Sequence, residues 1–254
     1  MRLAENTLGS EHANPLPPAV ILFGSPGSGK GTQAKLLRKC LRGPHISTGD
    51  MLRMHIQHCD EIGRQTETLL RSGKLVADDL VNELVEERIG QEDARAGIIL
   101  DGYPRTLNQA GVLLGLLRTF GFQPGVVHLM VDYEKIVARL SGRRQCPVCG
   151  TLYNLTTNPP KVAGVCDLDG ATLVTRPDDR EEVIRQRLTE YESQTRPILE
   201  YFREAGVPMF EIDGADRPPD VIAQEICNEL QIAGAARETA AGLGVKAADE
   251  SVVS

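Results

Sequence analysis

The chain has 254 residues, of which 41% are hydrophobic and 25% charged, with a formal net charge of −7. That length can bury a substantial core, and the acidic balance argues against a broad face for nucleic acid or anionic membrane. No apolar run approaches the ~20 residues needed to span a bilayer.

Residues 1–18 carry one Arg and two Glu and lack an apolar stretch. They read as a short disordered lead rather than a secretory signal. An apolar run at 20–23 predicts a buried strand, and Gly24-Ser25-Pro26-Gly27-Ser28-Gly29-Lys30-Gly31-Thr32 follows it. Helix-like sequence comes next. Strand, glycine-rich turn and helix start, in that order, are the context of a phosphate-binding loop. The glycines let successive N–H groups turn inward, the helix N-terminus adds partial positive charge, and Lys30 adds a full one. A nucleoside triphosphate is the expected ligand. Gly31 departs from the common pattern, which places the hydroxyl of Ser or Thr directly after the lysine; here that hydroxyl belongs to Thr32.

Residues 47–76 are polar and helical in character, and either Ser47 or Thr48 suits the N-cap of a helix carrying Asp50 and Arg53. A helix is predicted over 79–89. The run at 98–100 predicts a second strand, ending in Asp101, a position suited to holding Mg²⁺ or its waters beside bound phosphates. Arg105, four residues on, would face the same crevice. A helix over 107–120 and a strand over 126–131 continue an alternation that predicts a parallel sheet covered on both faces.

Residues 142–179 break that alternation with Cys, Pro, Gly and Thr. They hold Cys146, Cys149, Cys166 and Asp169 in the spacing C-x₂-C-x₁₆-C-x₂-D. Two knuckles of this kind suit tetrahedral Zn²⁺, and four protein ligands leave no open position, so the metal is expected to be structural. Of the six cysteines, the remaining Cys40, Cys59 and Cys227 read as buried or incidental thiols in a reducing compartment, with the cytoplasm as default. The Arg/Glu-rich stretch 179–205 predicts a long helix, capped by Asp178 or Asp179 and kinked at Pro197. A last strand is expected at 209–212, and residues 233–254 read as a disordered tail.

Taken together, GSPGSGKGTQ, ISTGDMLR, SGKLVADDLV, DGYPRTLNQA, SGRR, NPPK and TRPDD followed by RQRL resemble the adenylate kinases, in their long form with a large lid. The resemblance runs from about residue 20 to about residue 232. It implies the α/β fold of P-loop nucleoside monophosphate kinases: a parallel sheet flanked by helices, with an NMP-binding insertion and a lid insertion. The kinase portion would be 19–232, with core 19–46, 77–141 and 180–232, NMP-binding insertion 47–76 and zinc lid 142–179. It also implies transfer of the ATP γ-phosphoryl group to AMP with Mg²⁺, giving two ADP and serving adenine nucleotide balance.

By position, the resemblance assigns ATP to Gly27, Ser28, Gly29, Lys30, Gly31, Thr32, Arg139, Arg143 and Tyr153, with Thr32 near the metal. It assigns AMP to Thr48, Arg53, Lys74, Val76, Gly102, Arg105, Gln109, Arg176 and Arg187. Within that set, Gln109 and backbone near Lys74 and Val76 would read adenine. Lys30, Asp101, Arg105, Arg139, Arg143, Arg176 and Arg187 are the expected catalytic residues. Asp178 and Asp179 match an acidic pair at the lid hinge, and some lids of the family carry a zinc site with Asp as fourth ligand. Asn154 and Thr157 stand where a His and an aromatic residue are usual, which bears on the donor base. The alternatives are a GTP-dependent AMP kinase, another nucleoside monophosphate kinase, or, more distantly, a P-loop NTPase with a nucleic-acid-binding ribbon. The reading expects a monomer with ATP, AMP and ADP as its partners and neither nucleic acid nor membrane.

Overall fold

The computed structural model describes residues 16–242. In chain order the strands are β1 (Pro18–Phe23), β2 (His45–Ser47), β3 (Ile98–Asp101), β4 (Gln123–Met130), β5 (Arg143–Gln145), β6 (Leu152–Asn154) and β7 (Met209–Asp213). The helices are α1 (Lys30–Leu37), α2 (Thr48–His58), α3 (Glu61–Ser72), α4 (Asp78–Ile89), α5 (Leu107–Thr119), α6 (Tyr133–Ser141), α7 (Glu181–Glu190), α8 (Ile198–Glu204) and α9 (Pro219–Gly242).

A five-stranded sheet runs in the order β2-β3-β1-β4-β7, and every pairing in it is parallel. Side chains of β1 alternate between its faces. Ala19, Ile21 and Phe23 join one core with Leu100, Leu113 and Phe202. Val20 and Leu22 join the other with Leu129 and Ile226. Both faces are therefore dry, which explains why the strands read as unbroken apolar runs. β1 lies between β3 and β4, where the crossovers change direction. The carboxyl edge of such a sheet is where loops converge and ligands bind.

The predicted strands are present, and β2 joins them at the sheet edge. Its three residues contain one aliphatic side chain, Ile46, too short a pattern to read as a strand. The first strand begins at Pro18, and Pro17 O accepts from Gln123 N (2.9 Å), so Pro17 and Pro18 belong to the fold rather than to a disordered lead. Residues 1–15, expected to be disordered, lie outside the described residues. At the other end α9 runs to Gly242, so residues 233–242, expected to belong to a disordered tail, are helical. The alanines of that stretch are the strongest helix formers. The expected disorder of 243–254 concerns residues outside the described ones.

Two helices, α2 and α3, fill 47–76, and the antiparallel pair β5–β6 nucleates 142–179. The long helix expected over 179–205 is divided. A 3₁₀ turn spans Pro177–Asp179, and α7 starts after Arg180 without a side-chain cap. Neither Asp178 nor Asp179 caps it, because both are buried among arginines. The helix then widens into a π turn at Tyr191–Thr195, with Arg196 N bonded to Tyr191 O (2.8 Å). Helix α8 resumes just after Pro197, which has no N–H to give to the preceding turn.

Cys40 and Cys227 form a disulfide with a sequence separation of 187, which corrects their reading as separate thiols. It ties the end of α1 to α9. Beside it, Gln33 Nε2 donates to Pro219 O (3.0 Å). Closing so long a loop restricts the unfolded chain, so replacing both cysteines by serine should lower unfolding free energy by about 2–5 kcal/mol. Calorimetry of the paired variant checks this; a melting temperature equal to the parent's would show that the bond does not staple the two helices.

Candidate functional site

A crevice of about 1110 Å³ opens at the carboxyl edge of the sheet, bordered by the glycine loop, α2, α3, the β5–β6 hairpin and the segment at 214–220. The loop leaves β1 at Gly24, whose φ of +140° and whose approach to Leu129 O (2.6 Å from a built Cβ) admit only glycine. Gly29 stands at the N-cap of α1 with φ +102° and no side-chain cap, so the first N–H groups of α1 remain for an anion.

Lys30 Nζ donates to the carbonyls of Gly24 (2.7 Å) and Ser25 (2.9 Å). Burial pushes its pKa down to about 8, against the pull of Asp101 and with the push of Arg105, Arg187 and Arg143. Asp101 ends β3 facing α1, and a Cβ at Gly31 would lie 3.3 Å from its Oδ2. A side chain there would require that carboxylate to give by a few tenths of an ångström. Burial alone would raise Asp101, but the hydrogen bond from His45 (3.4 Å) and the charge of Lys30 outweigh it and hold the carboxyl below its usual range. Thr32 borders the crevice, as do Gly27, Ser28 and Gly31.

Five arginines converge on the same space. Arg105, whose Nε donates to Gly102 O (2.8 Å), is pushed down to about 10 by burial and by Arg187. Its carbonyl accepts from Thr195 Oγ1 (2.9 Å), which the π turn brings to it. Arg143 forms a fork with Asp179, with Nε–Oδ2 at 2.6 Å. Arg187 reaches Asp178 (2.9 Å) and Asp179 (3.3 Å). Arg176 bonds Gln145 (2.6 Å) and lies 3.7 Å from Asp50, the carboxylate that also takes Arg53 (2.5 Å). Burial first, then Arg53 and Arg143, push Arg176 down to about 10. This crowd of cations is tolerated because three carboxylates are interleaved with it. Arg139 stands apart: its guanidinium donates to Gly214 O (2.8 Å) and also contacts Ala215 O.

At the α2–α3 end, Ser47 rather than Thr48 caps α2, accepting from Asp50 N (3.3 Å). Thr48 instead donates to Gly102 O (2.8 Å). Gly102, at φ +75°, has Arg105 and Thr48 against the position of a Cβ. Thr48, Lys74, Val76, Gly102, Arg105 and Gln109 border one small pocket there.

In the β5–β6 segment, one ligand atom each from Cys146, Cys149, Cys166 and Asp169 falls within 4.8 Å of the others. Cys149 and Cys166 sulfurs are 3.6 Å apart, near the separation of about 3.8 Å that tetrahedral Zn–S bonds impose. Val148 N and Cys149 N both donate to Cys146 Sγ (3.4 Å each). These four residues could hold a metal ion. Tyr153 borders the crevice, yet its ring is buried with Cys146, Cys166 and Leu173, and its hydroxyl accepts from Asp167 N (2.8 Å). Any part it takes in ligand binding falls to its backbone. Asn154 gives the end of α6 a hydrogen bond, Nδ2 to Arg139 O (2.9 Å), while its Oδ1 accepts from Thr156 N and Thr157 N (2.9 and 3.0 Å).

Sequence reasoning did not single out Asp50 as a partner of Arg53 and Arg176, nor Asn154 as a tie between hairpin and helix. Only the capped-helix pattern around Asp50 hinted at the first.

A family model described as adenylate kinase matches residues 22–207. An adenylate kinase of Anaeromyxobacter sp. (strain K) is 47% identical over 205 residues, covering 80% of this chain and 95% of that protein. That of Thermosipho africanus is 44% identical over 213 residues, covering 84% and 99%. That of Acholeplasma laidlawii is also 44% identical over 213 residues, covering 84% and 97%.

The depressed Lys30 has a consequence for pH. Only its protonated form attracts phosphate, and half of that form is lost near pH 8 in the free protein. The dissociation constant of a nucleoside triphosphate should therefore rise with pH between 7.5 and 9.5, approaching about tenfold per unit above 8. Lys30→Met should bind weakly with no such slope. A constant affinity of the parent across that range would contradict the depressed pKa.

Proposed function

The chain belongs to the adenylate kinase family, and from that premise we propose how its residues carry out ATP:AMP phosphotransfer. The observation that carries the assignment is the convergence of Lys30, Arg105, Arg143, Arg176 and Arg187 on one crevice. Gly27–Thr32 and Lys30 hold the ATP phosphates, with Arg139 beside the donor base. Thr48, Arg53 and Arg105 take AMP, whose adenine lies against Val76 and Gln109. Asp101 and Thr32 would hold Mg²⁺ through its waters, and the ion supplies charge neutralisation between the phosphates.

The attacking group is the phosphate of AMP, already anionic at neutral pH, so no side chain has to remove a proton. The chemistry left to the protein is alignment and charge. Guanidinium groups grip oxygens in pairs and offset charge gathered on the transferring group. Arg143, Arg176 and Arg187 reach the phosphates by giving up Asp179, Asp50 and Asp178, so that protein carboxylates exchange for ligand oxygens. Segments 47–76 and 142–179 close over the crevice during this exchange and exclude water, which would otherwise take the γ-phosphoryl group.

Cys146, Cys149, Cys166 and Asp169 would hold Zn²⁺, whose complete ligand set contributes folding of the lid rather than catalysis. ATP is the donor of this reading; the Asn154 side chain, committed to Arg139 O and its own turn, leaves the base to Arg139 and the 214–218 segment. The reading keeps a monomer in the cytoplasm as its expectation. No helix among the described residues is long and apolar enough to cross a membrane. A nucleic-acid role has no support in the net charge of −7.

Arg105→Ala should reduce turnover of MgATP with AMP by about 10²–10³-fold with little change in melting temperature. Near-parental turnover would remove Arg105 from the transfer site. Cys146→Ser should release zinc and lower the melting temperature; a metal content equal to the parent's would take Cys146 out of the ligand set.

A further inference from the structure

Gln109 is 2% exposed, and its amide is held at both ends. Its Oε1 accepts from Arg105 N (2.7 Å), and its Nε2 donates to Asp78 Oδ1 (2.8 Å). The polarity of this arrangement is dictated by chemistry. A backbone N–H only donates and a carboxylate only accepts, so oxygen must face Arg105 and nitrogen must face Asp78. Asp78 is itself fixed, since its Oδ2 accepts from Thr106 Oγ1 (2.8 Å) and Asn108 Nδ2 (3.0 Å). Thr106 also caps α5 by accepting from Gln109 N (3.1 Å), so the helix start, the carboxylate and the amide form one unit.

A primary amide has one N–H and one lone pair left after these bonds, and Gln109 borders the pocket beside Thr48 and Val76. Adenine offers the complement, a 6-amino donor next to the N1 acceptor. Hypoxanthine and guanine offer the reverse, a 6-oxo acceptor next to an N1–H donor. To meet a 6-oxopurine the amide would have to turn over, setting its oxygen against the Asp78 carboxylate and its nitrogen against the Arg105 N–H. Both contacts would then be repulsive.

We infer that Asp78 is a specificity-determining positioning residue: by locking the polarity of the Gln109 amide, it makes the acceptor site select a 6-aminopurine monophosphate over a 6-oxopurine one. This rests on the reading of Gln109 as the group that faces the acceptor base. The discrimination arises as much from rejecting the wrong edge as from favouring the right one.

The test is the ratio of kcat/KM for AMP to that for IMP, with MgATP as donor. Asp78→Asn presents an amide that can donate or accept, so the lock is released on that side and only the Arg105 N–H still opposes a turned amide; the ratio should fall at least about tenfold, one inverted hydrogen bond being worth that or more. Asp78→Glu, which still only accepts, should keep the ratio closer to the parent's. If Asp78→Asn does not fold, Asp78→Ser serves the same purpose, because a hydroxyl also takes either role. Parallel loss with both acceptors at an unchanged ratio would reduce Asp78 to a structural residue and overturn the inference. Gln109→Leu separates the two layers. A collapsed ratio there with an intact one in Asp78→Asn overturns the Asp78 inference alone, whereas an intact ratio in Gln109→Leu removes the reading beneath it.

Discussion

The structure turns on one electrostatic constraint: several full positive charges must occupy a partly buried crevice before any phosphate arrives. Lys30, Arg53, Arg105, Arg143, Arg176 and Arg187 meet that constraint through Asp50, Asp101, Asp178 and Asp179. Burial first, and then the neighbouring arginines, hold Lys30, Arg105 and Arg176 below their ordinary pKa values. Polyphosphate relieves the excess directly. Binding energy and the drive to reorganise the crevice thus have the same origin.

The sheet supplies the rigid half of the site. β1 delivers the glycine loop and β3 delivers Asp101 to the same edge, and their parallel register places Leu22 beside Asp101. The π turn then sets Thr195 under Arg105. The other half comes from 47–76 and 142–179, where Arg53 is held by Asp50 of its own helix, and Arg143 and Arg176 by carboxylates on other elements. Arg176 to Asp50 links the two segments across the crevice. Such contacts are long enough to yield to a phosphate, while the Arg143–Asp179 fork must be exchanged for an equivalent one.

Features carried by local pattern were readable from sequence. The glycine loop, the apolar strands, Asp101 at a strand end and the two cysteine knuckles each sit within a few residues of their own signal. What escaped was set by distance. Asp178 and Asp179 look like ordinary N-caps until Arg143 and Arg187 are brought to them. Cys40 and Cys227 are 187 residues apart, with nothing local to mark the pair. β2 is too short to show a period, and the π turn has no sequence signature beyond Pro197 following it. Asp78 lies just outside the helix predicted over 79–89, and only the fold reveals that it faces Gln109. The resemblance to adenylate kinases supplied candidate site residues and the Asp178–Asp179 pair, but not Asp50 as a partner of Arg53 and Arg176 nor which arginine each carboxylate holds.

The central claim is that phosphates take over arginines now paired with Asp50, Asp178 and Asp179. Hydrogen exchange tests it most directly, comparing the free protein with its complex with two adenosines joined through five phosphates. Protection should rise in both 47–76 and 142–179 as well as in the glycine loop, with the strands β1, β3 and β4 little changed. Protection confined to the glycine loop would mean that those arginines stay with their carboxylates, and the account of the site would fail.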